Sequence, residues 1–253
     1  MENEGRKSSL KDIVLKKMLP RELLQVYQDH LKKYIIHNFI FRWQAQQFKD
    51  CISLFPDDVV VSVVDFAENY SFKEQNEIQS MHWYTKQVTI FVLITYFRIA
   101  SSAIKKTMHF FVSDDKQHDT LFVQHAFLLH AQWLRDQGLS FIKHWVWSDG
   151  AASQFKAKRP FYFVARYWSL TGMEMNWNFF CSGHGKGEHD GAGAVIKRAL
   201  THEQLKQHSV QLNCAAEVVS FLRMHLSTGA TAMYDKQKRE VSRVFWEVKL
   251  GNV

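Results

Sequence analysis

Three aspartates, Asp65, Asp149 and Asp190, are the residues of this sequence whose types and positions could do chemistry together. Asp65 falls within an apolar run over residues 59–66, and Asp149 ends a second apolar run over residues 141–149. Asp190 follows a glycine-rich turn at the apparent start of a helix. A carboxylate at the edge of an apolar strand costs free energy unless a positive charge meets it. Several carboxylates that converge repel one another, and hard cations such as Mg²⁺ or Mn²⁺ relieve that repulsion.

Three carboxylates of this kind can hold two divalent ions about 4 Å apart, and such a pair can cleave or transfer phosphodiester bonds. Oxygen ligands suit Mg²⁺ or Mn²⁺, whereas a set of soft Cys and His ligands would favour zinc. Cys181, His184 and His189 lack an apparent fourth ligand, so no zinc is expected. The sequence therefore predicts a site for two Mg²⁺ or Mn²⁺ ions. An isolated aspartate after a strand is often a turn former or a helix cap, and that interpretation stays open for each residue.

Polar and basic residues surround the predicted site. Glu68, Asn69 and Glu77 follow the first strand and are predicted to hydrogen-bond to the ligands or to metal-bound water, with a polar turn as the alternative. A further set is predicted to contact nucleic-acid phosphates: Gln154, Lys156, Lys158, Arg159, His184, Lys186 and Lys197. For the basic members of this set, a solvated surface is the alternative.

The composition of the chain limits the classes of protein to which it can belong. The chain has 253 residues, 46% of them hydrophobic, which indicates a globular protein. Its net charge of +7 favours polyanionic partners such as DNA, and self-association stays open. The 3 cysteines are widely spaced, as reduced thiols in an intracellular protein are. The polar N-terminus and the lack of a long apolar stretch predict a nuclear or cytoplasmic protein, neither secreted nor in a membrane, without an organic cofactor.

The hydrophobic periodicity predicts a mixed α/β fold. A helix over residues 10–53 precedes strands over 59–66, 81–98 and 107–113, and a helix over 120–137 follows. The strand ending at Asp149, a helix over 154–170, a strand over 176–181, a helix from Asp190, a helix over 203–228 and an edge strand over 240–248 complete the order. This order is that of a ribonuclease H-like fold, with a three-strand antiparallel meander, parallel strands and flanking helices. The predicted divisions are a helical N-terminal extension at 1–55, the core at 56–228, and a tail or edge strand at 229–253.

Four segments carry a family resemblance, at residues 65–71, 77–83, 148–156 and 177–191. They resemble uncharacterised eukaryotic transposon-derived proteins, which are similar to DDE-type transposases of the retroviral integrase superfamily. The resemblance covers about residues 55–200, and its most specific blocks are Ser-Asp-Gly…Gln-Phe-Lys and His-Gly-Lys-Gly…Asp-Gly. It implies that Asp65, Asp149 and Asp190 form the acidic triad. Aspartate replaces the commoner terminal glutamate, which leaves Glu188 as a competing third acid.

The leading hypothesis is a transposase-like catalytic core that uses two divalent ions for cleavage and strand transfer of DNA. One alternative is a domesticated nucleic-acid-binding module that keeps the fold and has lost catalysis. Another is a ribonuclease H-like nuclease that acts on RNA or on hybrids. All three acids are present, so the sequence separates these alternatives poorly.

Overall fold

The computed structural model describes residues 17–73, 86–99, 103–151, 154–181, 187–206, 212–227, 233–234, 236 and 240–249. The chain divides into two compact units, Met1–Ile40 and Phe41–Val253. Helix α1, Pro20–Leu54, runs through this division. No helix within the described ranges combines the length and the apolar character that crossing a membrane requires.

The first unit contains the N-terminal part of α1. Pro20 opens the helix, where its missing N–H costs nothing, and the Glu22 carboxylate accepts a hydrogen bond of 3.1 Å from the Leu19 N–H. The large apolar side chains of this part are exposed, among them Leu24, Tyr27 and Ile36.

The second unit is built on a seven-stranded mixed sheet with the strand order β5-β4-β1-β2-β3-β7-β6. The strands are β1 Val59–Ser71, β2 Gln87–Phe97, β3 Lys105–Ser113, β4 Lys143–Ser148, β5 Glu174–Phe179, β6 Met233–Tyr234 and β7 Glu240–Glu247. β1, β2 and β3 form an antiparallel meander, and β4 and β5 are added in parallel on the side of β1. This arrangement confirms the predicted ribonuclease H-like fold.

Helices cover both faces of the sheet. They are α2 Thr120–Asp136, α3 Lys158–Thr171, α4 Glu188–Gln204 and α5 Ala215–Leu226. One apolar layer joins β1 residues such as Val61 and Val63 to α4 and α5, and Phe48 near the end of α1 packs against it. The other layer joins Val60 and Val64 to α2 and α3. Because side chains alternate across a strand, β1 supplies both layers with an almost unbroken run of valines.

The structure corrects several predicted boundaries. The helix predicted over 203–228 is two pieces, because α4 continues to Gln204 and α5 begins at Ala215. The helix predicted from Asp190 begins at Glu188. The strand predicted at the C-terminal edge, β7, lies inside the sheet, where it pairs in parallel with β3 and antiparallel with β6. Periodicity did not indicate this position because it carries no information about which strands pair.

Candidate metal centre

The register between β1 and β4 brings two of the predicted carboxylates to the same part of the sheet. The strands are parallel, and Val63 lies opposite Trp147. Asp65 and Asp149 each come two residues further along, and an even step keeps a strand side chain on the same face. Val63 and Trp147 both belong to the layer covered by α4 and α5. Asp65 therefore points towards α4. Asp149 comes directly after Ser148, the last residue of β4, next to the strand that carries Asp65.

His189 and Asp190, in the first turn of α4, supply the other side chains of the candidate site. The His189 side chain is only 3% exposed, and its Nε2 lies 3.4 Å from Asp65 Oδ2 and 3.4 Å from Asp190 Oδ2. At these distances one imidazole nitrogen faces two carboxylates from different elements. Neither His189 nitrogen has a hydrogen-bond partner within the described residues. A buried polar atom without a partner is costly, and a cation bound at this position would relieve that cost.

These three side chains fit a divalent cation. One ligand atom from each of Asp65, His189 and Asp190 lies within 4.8 Å of the other two. Ligands on an ion with bonds of roughly 2.1 Å lie about 3 Å apart when they are adjacent and about 4 Å apart when they are opposite. The group could therefore hold one metal ion with two oxygens and one nitrogen. Asp149 does not belong to this group.

The charges of Asp65 and His189 nevertheless act on the pKa of the Asp149 carboxyl. Burial raises the pKa of its carboxyl, the Ala151 N–H lowers that pKa, the Asp65 charge raises it and His189 lowers it. The Ala151 N–H donates to Asp149 Oδ1 at 3.1 Å. A carboxylate destabilised by burial and by a second carboxylate gains from any cation placed between the two.

The other two carboxylates are fixed by backbone groups. Asp65 Oδ1 accepts a hydrogen bond of 2.8 Å from the Phe66 N–H, which leaves Oδ2 directed at His189. Asp190 Oδ2 accepts one of 2.8 Å from the Gly187 N–H at the first turn of α4. Asp190 thus caps the helix and also lies in the group with His189 and Asp65, so the capping interpretation is confirmed and does not conflict with the predicted role as a metal ligand.

Glu188 is engaged elsewhere. Its Oε2 accepts hydrogen bonds of 2.7 Å from the Tyr96 hydroxyl and 2.9 Å from Lys106 Nζ. The Lys106 side chain is 3% exposed and that of Glu188 is 39% exposed, so this ion pair is buried on the lysine side only, and it anchors α4 to β2 and β3. Of the two acids that competed for the third position, Asp190 is the one that the structure brings to His189 and Asp65.

The residues predicted to support the ligands have other partners. Asn69 Oδ1 accepts from the Thr89 hydroxyl at 3.1 Å and lies 2.6 Å from His118 Nε2. Glu68, whose side chain is 98% exposed, lies 4.0 Å from Lys197 Nζ. Both acceptors sit where the pairing of β1 with β2 is interrupted between Ala67 and Tyr70. Glu77, the third of this set, lies outside the described residues.

The residues predicted to contact nucleic acid are distributed over two elements. Lys156, Lys158 and Arg159 are exposed at and before the start of α3, which follows the Asp149 loop. Gln154 is half-buried, and its carbonyl lies 3.5 Å from the Thr120 hydroxyl, which donates to it. Burial lowers the pKa of Lys197 on α4, and the charge of Glu68 raises it. His184 and Lys186 lie outside the described residues.

His189 is the member of the group that the sequence pattern does not indicate. In the sequence it stands out only beside Cys181 and His184, a set that lacks a fourth zinc ligand. Two signals in the sequence were available: its position directly before Asp190, and the two glycines that follow, which indicate a helix that approaches its neighbour closely. Gly193 confirms the close approach, because a Cβ at that position would lie 3.1 Å from Ala67 Cβ.

A family model described as Domain of unknown function (DUF8701) matches residues 44–251. No curated protein matches the chain. A solved structure, "Crystal structure of NurA bound to dAMP and manganese", aligns with 81% of this chain and 46% of that chain, at 11% identity and a TM-score of 0.16. The chain thus spans about half the length of that structure, and a TM-score this low supports no inference about chemistry. The match over residues 44–251 covers most of the chain, and the protein therefore belongs to the DUF8701 family.

Proposed function

We propose that this protein is a transposase-like catalytic core that cleaves phosphodiester bonds of DNA and transfers the strand, with Mg²⁺ or Mn²⁺ as its cofactor. The observation that carries the proposal is the meeting of Asp65, His189 and Asp190 within 4.8 Å, beside a half-buried Asp149. The resemblance of residues 55–200 to DDE-type transposases supports the same chemistry. Exposed acidic groups are common without a metal ion, but a buried imidazole without a hydrogen bond among the described residues is an added reason to expect one.

The roles of the residues follow from their positions. Asp65, His189 and Asp190 would hold one ion, and Asp149 together with Asp65 would hold a second. Bound divalent ions supply Lewis-acid stabilisation of the scissile phosphate and of the groups that enter and leave it. Because the donor set contains one imidazole nitrogen, Mn²⁺ fits it better than Mg²⁺, which prefers oxygen ligands.

The basic residues would hold the substrate. Lys156, Lys158 and Arg159 lie exposed next to the Asp149 loop, where they would contact phosphates on one side of the scissile bond. Lys197 lies two turns along α4 from His189 and would contact the other side. Contacts of this kind orient the backbone and do not read the base sequence.

A nicking assay on supercoiled duplex DNA tests the catalytic proposal. We expect nicking by the wild type with Mn²⁺ or Mg²⁺, and a fall of about 100-fold or more in Asp149→Asn, which keeps the size of the side chain but removes its charge. Asp136→Asn is the matched control, because Asp136 is an exposed aspartate at the end of α2 that bonds to Gln132. Equal nicking by Asp149→Asn and the control would reject the assignment.

A second candidate function has its own supporting observation. The His189 imidazole, with its Nε2 3.4 Å from two carboxylates, could hold these acids together without a metal ion. The protein would then be a domesticated nucleic-acid-binding module without catalysis. Calorimetric titration with Mn²⁺ separates the two: the catalytic proposal requires binding that is lost in Asp65→Ala and weakened in His189→Ala, and the module requires that the wild type bind no Mn²⁺.

The third alternative, a ribonuclease H-like nuclease, concerns the substrate and not the site. Parallel cleavage assays on duplex DNA, an RNA–DNA hybrid and single-stranded RNA decide it. We expect duplex DNA to be cleaved fastest, because strand transfer requires a DNA end. Preference for the RNA strand of a hybrid would favour the ribonuclease.

A further inference from the structure

The outward face of α3 exposes three aromatic rings. Phe161, Tyr162 and Trp168 are 50%, 65% and 59% exposed, while Pro160 and Phe163 on the opposite side are buried against the core. The cost of leaving one aromatic side chain in water is small, but three on a single short helix make an apolar surface that indicates a binding site. We call these three residues the α3 aromatic strip.

Positive charge surrounds the strip. The sequence of α3 contains Lys158, Arg159 and Arg166 and has no aspartate or glutamate. The Arg166 guanidinium carbon lies 5.7 Å from the centre of the Tyr162 ring. A cation beside an exposed ring places a phosphate-binding group next to a surface on which a base can stack. This combination is complementary to a polyanion with flat rings and is poorly suited to an apolar protein surface.

The strip is continuous with the candidate metal centre. Phe161 packs against Phe179 at the end of β5, with ring centres 6.4 Å apart and the planes nearly perpendicular. Phe179 pairs with Ser148, the residue before Asp149, in the β4–β5 register. Lys156 Nζ lies 5.4 Å from the centre of the Phe179 ring. The rings and cations therefore begin within one residue of a predicted metal ligand and extend away from it along α3.

We infer that the α3 aromatic strip binds a single-stranded segment of nucleic acid that adjoins the scissile phosphate. In a duplex the faces of the bases are stacked on one another, so exposed rings can stack only on unpaired bases. Along α3, the rise from Phe161 to Trp168 is about 10 Å, which matches roughly three bases at their stacked spacing. Lys158, Arg159 and Arg166 contact the phosphates of the same segment.

This inference rests on the proposed function. It specifies that the nucleic acid bound at the site has an unpaired segment beside the bond that is cleaved. A strand-transfer or nicking reaction requires local opening of a duplex, and stacking on the strip would hold the opened strand. The inference concerns binding and not chemistry, so it can be tested without metal.

Fluorescence anisotropy with a labelled thymidine oligonucleotide of twenty nucleotides, in the presence of EDTA, measures the binding directly. We expect Tyr162→Ala and Trp168→Ala each to weaken binding about ten-fold, and Tyr162→Phe and Trp168→Phe to restore most of it. Tyr27→Ala and Trp43→Ala are matched controls, because these rings are 60% and 56% exposed on α1. The controls should bind as the wild type does, and blunt duplex DNA should bind less tightly than the single strand.

The possible outcomes separate this inference from the proposed function. Metal-dependent nicking that is lost in Asp149→Asn, together with single-strand binding that is equal in the strip variants and the controls, overturns the inference alone. Strip-dependent binding without nicking in any metal supports the inference and rejects catalysis. Failure to bind the oligonucleotide, combined with dimerisation that is lost in Trp168→Ala, would show that the strip is a protein interface and would overturn the inference.

Discussion

At the residue scale, the candidate centre depends on the contrast between His189 and the other buried histidines. His189 faces two carboxylates and has no hydrogen bond within the described residues. His130 and His144 are also fully buried but lie within a polar chain: His144 Nε2 is 2.8 Å from the Ser62 hydroxyl, which is 3.1 Å from the Thr95 hydroxyl, which is 2.9 Å from His130 Nε2. His189 thus has both ring nitrogens unpaired among the described residues and faces two acids, whereas His130 and His144 each hold at least one hydrogen bond and His130 leaves only its Nδ1 unpaired.

The structural histidines predict a loss of stability in acid. Burial lowers the pKa of His130 to about 3, so the folded protein keeps this ring neutral while the unfolded chain protonates it at about 6.5. The contribution to stability is therefore complete above pH 6.5 and is lost progressively as the pH falls from about 6.5 towards 3, by about 1.4 kcal/mol per pH unit.

Urea unfolding of the wild type and His130→Gln at pH 7, 6 and 5 measures this effect. We expect the free energy of unfolding of the variant to fall less steeply between pH 6 and 5, by about 1.4 kcal/mol per pH unit. The variant starts from a lower value at pH 7, because the substitution alters a packed site. An acid-side slope equal to that of the wild type would contradict the assignment.

At the scale of elements, the site depends on how closely α4 approaches β1. Gly193 faces Ala67, and the absence of a side chain at Gly193 lets the helix lie against the strand. The same helix carries His189 one turn earlier, so its distance from Asp65 follows from this packing. The Glu188–Lys106 ion pair fixes the end of the helix on the neighbouring strands.

Two glycines of α4 give a matched pair of substitutions. A Cβ at Gly193 would lie 3.1 Å from Ala67 Cβ, whereas a Cβ at Gly191 meets nothing within 4 Å. We expect Gly193→Ala to lower the free energy of unfolding by about 1–2 kcal/mol through overpacking, and to weaken Mn²⁺ binding as His189 moves from Asp65. Gly191→Ala should raise stability by about 0.5–1 kcal/mol. Urea unfolding and calorimetry measure both quantities, and a stabilising effect of both substitutions would argue against a packing role for Gly193.

At the scale of the whole molecule, the net charge of +7 matters less than where the charge lies. The cations beside the α3 aromatic strip are not balanced by an acid on that helix. By contrast, the buried Lys106 pairs with Glu188, and Lys105 pairs with Glu240 at 2.9 Å. Local surplus charge releases counterions from a nucleic acid, and total charge acts only at long range.

Salt titration of oligonucleotide binding distinguishes local from total charge. The double substitution Lys158→Ala/Arg166→Ala and the control Lys32→Ala/Lys33→Ala each remove two charges. For a single strand, we expect the slope of log affinity against log salt to become less steep by about 1.4 in the first variant and to stay unchanged in the control. Equal changes in both would show that the total charge governs binding.

The sequence by itself determined the order of the strands and helices from α1 to α5, the carboxylate of Asp65 within β1 and that of Asp149 directly after β4. Alternating hydrophobicity, apolar runs and short connections are local properties, and they restrict a chain with this order to very few sheet topologies. The position of Asp65 in β1 and of Asp149 at the end of the adjacent parallel strand followed from that topology. Glu77, His184 and Lys186 lie outside the described residues, and their roles remain sequence predictions.

Only the tertiary structure decided which groups accompany those carboxylates. It directed Glu188 into an ion pair with Lys106, used Asp190 both as a cap and as a member of the group, and placed His189 between two acids. It also inserted β7 beside β3 inside the sheet. Such outcomes depend on the rotation and the packing distance of one element against another. Those quantities are set by the contacts of distant residues and leave no periodic pattern in the sequence.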